Sequence, residues 1–102
     1  MTRGHDYYDR QGKPITDAAS FAKKSGDEKY RRVASTVLSN GKWVSTVWIG
    51  LNFQSGRGPP LIFETMVYPS RDNFNDLACE RYSTEEEALK GHKRLVEKWI
   101  TR

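Results

Sequence analysis

Residues 30–68 read YRRVASTVLSNGKWVSTVWIGLNFQSGRGPPLIFETMVY. Three runs rich in β-branched and aromatic residues are separated first by Asn40-Gly41 and then by a loop rich in glycine and proline. Apolar runs bounded by turn residues predict three antiparallel strands. Asn-Gly is the strongest short hairpin signal, because a two-residue type I′ turn needs positive φ at both central residues. A loop of that length places Leu38 opposite Trp43, Val37 opposite Val44, Ala34 opposite Val47 and Val33 opposite Trp48. Side chains alternate along a strand. One face then carries Ala34, Leu38, Trp43, Val47, Ile49, Leu51 and Phe53, and the other Val33, Val37, Val44, Thr46 and Trp48. The first face is the richer in apolar side chains and is expected to be the core. The second is apolar as well, and left in water it exceeds the patch a monomer usually tolerates. Val33, Val37, Val44 and Trp48 are therefore the interface candidates. Either the N-terminal segment with Tyr7, Tyr8 and Phe21 covers them, or another chain does, in its most concrete form a second copy pairing through the sheet.

On the C-terminal side of this stretch, Pro69–Asn73 predicts a turn and Leu77–Tyr82 a fourth, edge strand, whose Glu80 and Arg81 discourage edge-to-edge pairing. Ser83-Thr84-Glu85-Glu86 has the form of a capping box, with Ser83 and Glu86 as its partners. The helix it opens is expected to run from Thr84 to about Ile100. Ala88, Leu89, His92, Leu95, Val96, Trp99 and Ile100 form its apolar stripe. Gly91 lowers helix propensity by up to about 1 kcal/mol, and close approach to the sheet is the reason expected for it. On the N-terminal side, Thr16 is expected to cap a short helix over Asp17–Lys24 that ends at Gly26. Residues 1–14 are polar and turn-rich. They read either as an extended piece whose tyrosines dock on the sheet or as a mobile tail.

The fold class expected is α+β in one domain over residues 1–102: a four-stranded antiparallel meander, a long C-terminal helix packed on one face and a short N-terminal helix. The chain holds 102 residues, of which 36% are apolar. No run approaches the about 20 apolar residues that span a bilayer, and the N-terminus lacks the apolar core of a secretion signal. The expectation is a protein of the (host) cytoplasm with no membrane partner. Cys79 is the single cysteine, so no intrachain disulfide can form. The net charge of +4 permits nucleic acid, nucleotides or an acidic protein as partners and demands none of them.

Chemistry has few residues to draw on. His92 falls on the buried stripe of the long helix, where a packed histidine outweighs a catalytic one, and His5 lies in the N-terminal tail. Cys79 sits in a strand and reads as a small buried hydrophobe. Glu64 interrupts an apolar strand and is expected to pair with a basic residue across the sheet. No spacing resembles a zinc site, and no cofactor is expected. The QSGRGPP loop around Arg57 lacks the Gly-Lys-Ser/Thr ending and the following helix of a P-loop. Lys23, Lys24, Arg31 and Arg32, with Arg57, are the candidate nucleic-acid contacts, with Tyr30 and Trp48 near enough to stack. A solvated edge is the plainer reading of this cluster, since Asp27 and Glu28 interrupt it and none of the usual nucleic-acid motifs is present.

The segments YYDRQGKPI, EKYRRVASTVL, GKWVSTVWIGLNF, GPPLIFETMVY and ERYSTEEEALKGH together resemble a family of small uncharacterised phage and prophage proteins. The similarity runs from about Tyr7 to His92. It implies an accessory gene of a mobile element, a class whose small proteins often bind and block a host component. It supplies no site residues. The function expected is a non-enzymatic binding protein that occludes a host or phage protein. A nucleic-acid or nucleotide binder is the alternative, and an enzyme of unknown type the third reading.

Overall fold

The structure, a computed structural model, describes residues 6–53 and 56–102. Four strands follow two short helices, α1 (Ala18–Ser25) and α2 (Glu28–Arg31): β1 (Arg32–Val37), β2 (Trp43–Trp48), β3 (Phe63–Tyr68) and β4 (Ala78–Tyr82). The last element is α3 (Glu85–Trp99). The strands form one antiparallel meander in the order β1-β2-β3-β4, and α3 packs across all four. The α+β architecture is therefore the expected one.

On β2 the face that α3 covers is the opposite of the one expected, whereas Ala34, paired with Thr46, and the buried Leu38 lie on the covered side as expected. Val44, Thr46 and Trp48 of β2 are fully buried, as are Phe63, Thr65 and Val67 of β3. The side chains of Trp43, Ser45 and Val47 point the other way and remain partly exposed. Two physical reasons account for the reversal. First, the β2 alternation ends at Trp48: the Ile49 and Gly50 amides both donate to the Ile62 carbonyl, and Gly50 has φ +74°. Ile49, Leu51 and Phe53 thus leave the strand ladder and gather with Phe21 at the edge of the Trp43 face instead of continuing it as a strand. Secondly, the hairpin has a three-residue loop. Leu38 N–H donates to Lys42 O, Gly41 N–H donates to Leu38 O, and only Gly41 has positive φ. This is the longer hairpin class in which a glycine follows the turn as a bulge. Val37 consequently lies opposite Trp43 and Ala34 opposite Thr46, and an irregularity at Val33 returns Arg32 to Val47.

Asn40 has another task besides turning the chain. Its carboxamide oxygen accepts from Lys42 N–H at 3.1 Å, and its nitrogen donates to Trp99 O at 2.9 Å, at the end of α3. The other end of α3 is fixed by a capping box one residue later than expected: Thr84 and Glu87 exchange side chain–backbone bonds of 3.1 Å. Ser-Thr-Glu-Glu-Glu offers both frames. In the later one Glu86 pairs with Lys90 at 3.3 Å instead, and Glu85 pairs with Arg10 at 2.7 Å. Arg10 also donates to the Tyr30 carbonyl at 3.0 Å, so the chain around Tyr7–Pro14 is tied to both helical layers. Tyr7 bridges Leu51 and stacks on Phe21, and the Trp48 indole N–H donates to Tyr8 O at 2.9 Å. The tyrosines dock, as the extended reading of this segment expects. The N-cap of α1 is Asp17 rather than Thr16; its carboxylate accepts from Ser20 N–H, and the Ser20 hydroxyl and amide together hold its pKa below the usual value.

The core has two apolar halves. Ile15, Trp48, Ile62, Phe63 and Ala88 make one, with Tyr7, Phe21 and Tyr30 against it. Leu38, Val44, Val67 and Leu95 make the other. Between them along the same elements lie Thr46, Thr65 and His92. Thr46 Oγ1 is 2.7 Å from His92 Nδ1 and 2.5 Å from Thr65 Oγ1, while Thr36 Oγ1 is 2.8 Å from His92 Nε2. His92 is therefore a packed histidine with both ring nitrogens engaged. Burial lowers its pKa below the ordinary 6.5.

Gly91 lies where α3 passes closest to β4. A Cβ there would stand 2.0 Å from the Tyr82 hydroxyl oxygen and 2.2 Å from Cζ. That hydroxyl donates to Glu80 at 2.9 Å, and Glu80 also receives the Arg94 guanidinium from α3. Desolvation and the Glu80 carboxylate push the Tyr82 phenol up to about 12. Leu89 and Ile100, placed on the stripe by spacing, are exposed, so the buried line of α3 is the narrower Ala88, Gly91, His92 and Leu95.

Two outcomes follow. Gly91→Ala should gain about 1 kcal/mol of helix propensity yet destabilise overall by about 1–2 kcal/mol through overpacking against Tyr82. A urea midpoint at or above that of the parent chain would contradict the close approach. Since the folded pKa of His92 is depressed, the unfolded chain binds the proton more readily. Stability should be intact above about 6.5 and fall as pH drops below it, until the lower folded pKa is passed. In His92→Gln the slope of stability against pH in that window should be shallower. An unchanged slope by denaturant titration would remove His92 as its source.

Candidate functional site: the uncovered face of the sheet

α3 covers one side of the sheet; among the described residues the other face is reached by helices only at its β1–β2 edge, through Phe21 of α1 and Glu28 and Arg31 of α2. Alternation assigns its side chains: Arg32, Ser35 and Val37 from β1, Trp43, Ser45 and Val47 from β2, Glu64, Met66 and Tyr68 from β3, and Cys79 and Arg81 from β4. Trp43 and Tyr68 are directly paired across the two central strands, with ring centroids 5.2 Å apart. The Trp43 indole N–H donates to Ser35 Oγ at 2.8 Å, which ties the ring to β1.

The segment between β3 and β4 folds back over one end of this face. Arg71 places its guanidinium carbon 4.6 Å from the Trp43 ring centre, a cation–π geometry, and Phe74 meets Tyr68 edge-on at 5.7 Å. At the other end Arg81 lies 4.6 Å over Phe53 and pairs with Glu64 at 3.0 Å. The cross-strand partner expected for Glu64 is therefore Arg81.

Two adjoining clefts open here. The first, of about 290 Å³, is bounded by Arg31, Arg32 and Arg71 and floored by Ser35, Trp43, Ser45 and Val47, with Glu28 as its one carboxylate. Glu28 is held by Arg32, whereas Arg31 and Arg71 have no carboxylate partner among the described residues. The second, of about 390 Å³, shares Arg31 and Val47 with the first and is otherwise lined mainly by Phe21, Ile49, Leu51 and Phe53, with Glu64 at its side.

The residues singled out from sequence divide accordingly. Val44 and Trp48 are 0% exposed in the core under α3 and cannot form an interface in the folded chain. Val33 is half-buried against the Trp48 half of the core. Only Val37, 52% exposed, stands on the open face. Of the basic cluster, Arg31 and Arg32 reach the first cleft. Lys23 and Lys24 line a separate hollow with Ser20, Asp27 and Tyr30, where Lys24 lies 4.9 Å over the tyrosine ring. The short α2 turns the chain between the two groups. Arg57 is exposed in the β2–β3 loop and lines neither cleft. Tyr30 and Trp48 do not offer a stacking surface, because they meet edge to face at 4.9 Å within the fold. Cys79 is exposed on β4 rather than buried, and desolvation and the Glu64 carboxylate raise its thiol pKa. His5, Gln54 and Ser55 lie outside the described residues. Arg71 and Trp43 are the residues that sequence reading did not bring to the site; the nearest signal was the aromatic alternation of β2 and β3.

Among the described residues no three His, Cys, Asp or Glu side chains gather in a way that could hold a metal ion, and no helix is long and apolar enough to cross a membrane. Compared with known proteins, the chain matches no family model, no curated protein and no solved structure.

The two tryptophans of β2 should separate the faces experimentally. Trp48→Ala should cost about 3–5 kcal/mol, as for a fully buried aromatic. Trp43→Ala should cost about 1.5 kcal/mol or less, the scale of its surface stacking. Equal losses in urea denaturation would mean that Trp43 is a core residue too.

Proposed function

We propose that this chain is a non-enzymatic binding protein that occludes a protein partner with the uncovered face of its sheet. The observation that carries this reading is the composition of that face. Trp43, Tyr68, Met66 and Val47 occupy its centre, Arg32, Arg71 and Arg81 surround them, and its one acidic side chain on the central strands, Glu64, is already tied to Arg81. Aromatic residues, methionine and arginine are the types enriched at the cores of protein interfaces, and lysine and acidic residues the types depleted there. The ring of Trp43 is pre-positioned by Ser35 and Arg71, so less side-chain freedom is lost on association. The resemblance to phage and prophage proteins makes a bacterial host protein the natural partner. A second copy of this chain is a poorer occupant, because face-to-face pairing brings an arginine-rich surface against itself.

Binding of nucleic acid or nucleotides is the second reading, favoured by the guanidinium groups beside Trp43. It is weakened by the separation of Lys23, Lys24 and Arg57 from that cleft, which breaks the continuous basic track a phosphate backbone follows.

The test is capture from bacterial lysate by three forms: the parent chain, a Trp43→Ala/Tyr68→Ala double variant, and a Lys90→Ala control on the outer side of α3. The expected result is a specific protein held by the parent and the control and released by the double variant. Capture that survives the double variant, or a parent chain that sediments as a dimer at micromolar concentration through Trp43, would overturn the reading. Binding that requires nucleic acid and falls steeply with added salt would replace it by the second.

A further inference from the structure

We infer that the two adjoining clefts form one bipartite subsite for a peptide segment of the partner that places a carboxylate side chain beside a bulky apolar one. The inference rests on the reading of the sheet face as a protein-binding surface and specifies what that surface takes.

The first cleft has three guanidinium groups and one carboxylate, and the carboxylate is already engaged by Arg32. Arg31 and Arg71 are left with forked donors facing a shared space, and a guanidinium fork matches a carboxylate through two parallel hydrogen bonds. The hydroxyls of Ser35 and Ser45 on the cleft floor add neutral donors. An anionic group is therefore the complement of this half.

The second cleft continues from the first through Arg31 and Val47. Its lining is mainly the apolar surface of Phe21, Val47, Ile49, Leu51 and Phe53; Arg31 is the one cation among its lining residues and Glu64, paired with Arg81, the one carboxylate. A large apolar side chain is the complement here. An occupant of both clefts must change from anionic to apolar within the length of a few residues.

That change of character is what separates a peptide from a nucleic-acid strand on this surface. A strand crossing from the first cleft to the second would carry phosphates past Glu64 and onto Leu51 and Phe53, where the one further cation, Arg81 over Phe53, is already paired with Glu64. Each phosphate needs a cation or solvent along such a path. An extended peptide alternates its side chains and meets both halves without that penalty.

The experiment is titration of the isotopically labelled full chain, read by amide and indole N–H resonances. The probes are a short peptide with two glutamates followed by phenylalanine and leucine, the same peptide with lysines for the glutamates, and an oligothymidylate. The expected result is that the acidic peptide shifts the Trp43 indole and the Ser35, Ser45 and Leu51 amides, and the lysine peptide does not. Arg31→Glu with Arg71→Glu should weaken the acidic peptide by about tenfold or more, the scale of lost charge-assisted pairs. Phe53→Ala should weaken it less, with the shifts at Ser35 and Ser45 retained. The variants' own spectra report whether they fold; Arg31→Ala with Arg71→Ala replaces the double glutamate variant if that one does not.

No shift at these residues at about 1 mM peptide would overturn the subsite, as would shifts that persist in both arginine double variants. An oligothymidylate that moves the same resonances at lower concentration would overturn the peptide assignment in favour of nucleic acid. If the peptide fails while lysate capture still depends on Trp43 and Tyr68, the subsite falls and the protein-binding reading stands. If lysate capture fails while the peptide binds as expected, the reverse holds.

Discussion

A buried imidazole must place both of its nitrogens against polar partners, and those partners must come from fixed positions. His92 meets this demand with Thr36 on β1 and Thr46 on β2, and Thr46 passes the chain on to Thr65 on β3. One helical side chain is thereby bonded into three strands. Leaving any of these groups unpartnered in the interior costs about 1–3 kcal/mol, so α3 cannot slide along the sheet or move to its other face without loss. The apolar halves on either side, around Trp48 and around Leu95, add most of the burial but little direction. The polar layer between them supplies the direction. The composition of the uncovered face is a consequence: once Val44, Thr46 and Trp48 belong to α3, Trp43, Ser45 and Val47 belong to the outside.

How far this was legible can be argued from a few residues. Element types and order follow from periodicity and turn residues, and the structure has them with one addition, the four-residue α2 over Glu28–Arg31, which takes in Tyr30 and Arg31 where the pattern reads as the start of the first strand. The face assignment does not follow, because it turned on two local details. Asn40-Gly41 signals a hairpin in either of two loop lengths, and the choice of the longer one goes with an Asn40 side chain engaged at the end of α3. That contact joins residues 59 apart in the chain, beyond the reach of any local pattern. The end of β2 at Trp48 depends on a positive φ at Gly50, whose added Cβ would stand 2.4 Å from the Trp48 ring. A glycine there reads in sequence as a weak strand residue and in three dimensions as a packing requirement. Counting Ile49, Leu51 and Phe53 with Trp43 made the wrong face look the richer.

The site was half legible for a related reason. Arg31 and Arg32 adjoin the first strand, so their presence at its edge is visible locally. Lys23 and Lys24 are close in sequence but are carried away by the turn into α2, whose start Asp27 caps by accepting from the Lys29 and Tyr30 amides. Arg71 comes from the opposite direction, out of the β3–β4 connection, and reaches Trp43 only because β2 and β3 are antiparallel neighbours. A cluster defined by sequence adjacency therefore gains one member, Arg71, and loses two, Lys23 and Lys24, when the chain folds.

The two faces of β2 and β3 are both apolar by count, yet they differ in kind. The side chains under α3 are valine, threonine, phenylalanine and a tryptophan whose N–H is satisfied by Tyr8 O, all of them fully enclosed. Those on the outside are Trp43, Met66 and Tyr68, with arginine stacked on rings and serine beneath. Each of these carries an apolar body with a polar or polarisable end, a combination that tolerates water in the free protein and still offers area to a partner. A surplus of apolar side chains in a small sheet is thus no shortage of helix to cover it. Where the surplus is made of amphipathic types with arginines at the rim, the face can stand in water in the free chain, and on the proposed reading the rim charge favours an acidic partner.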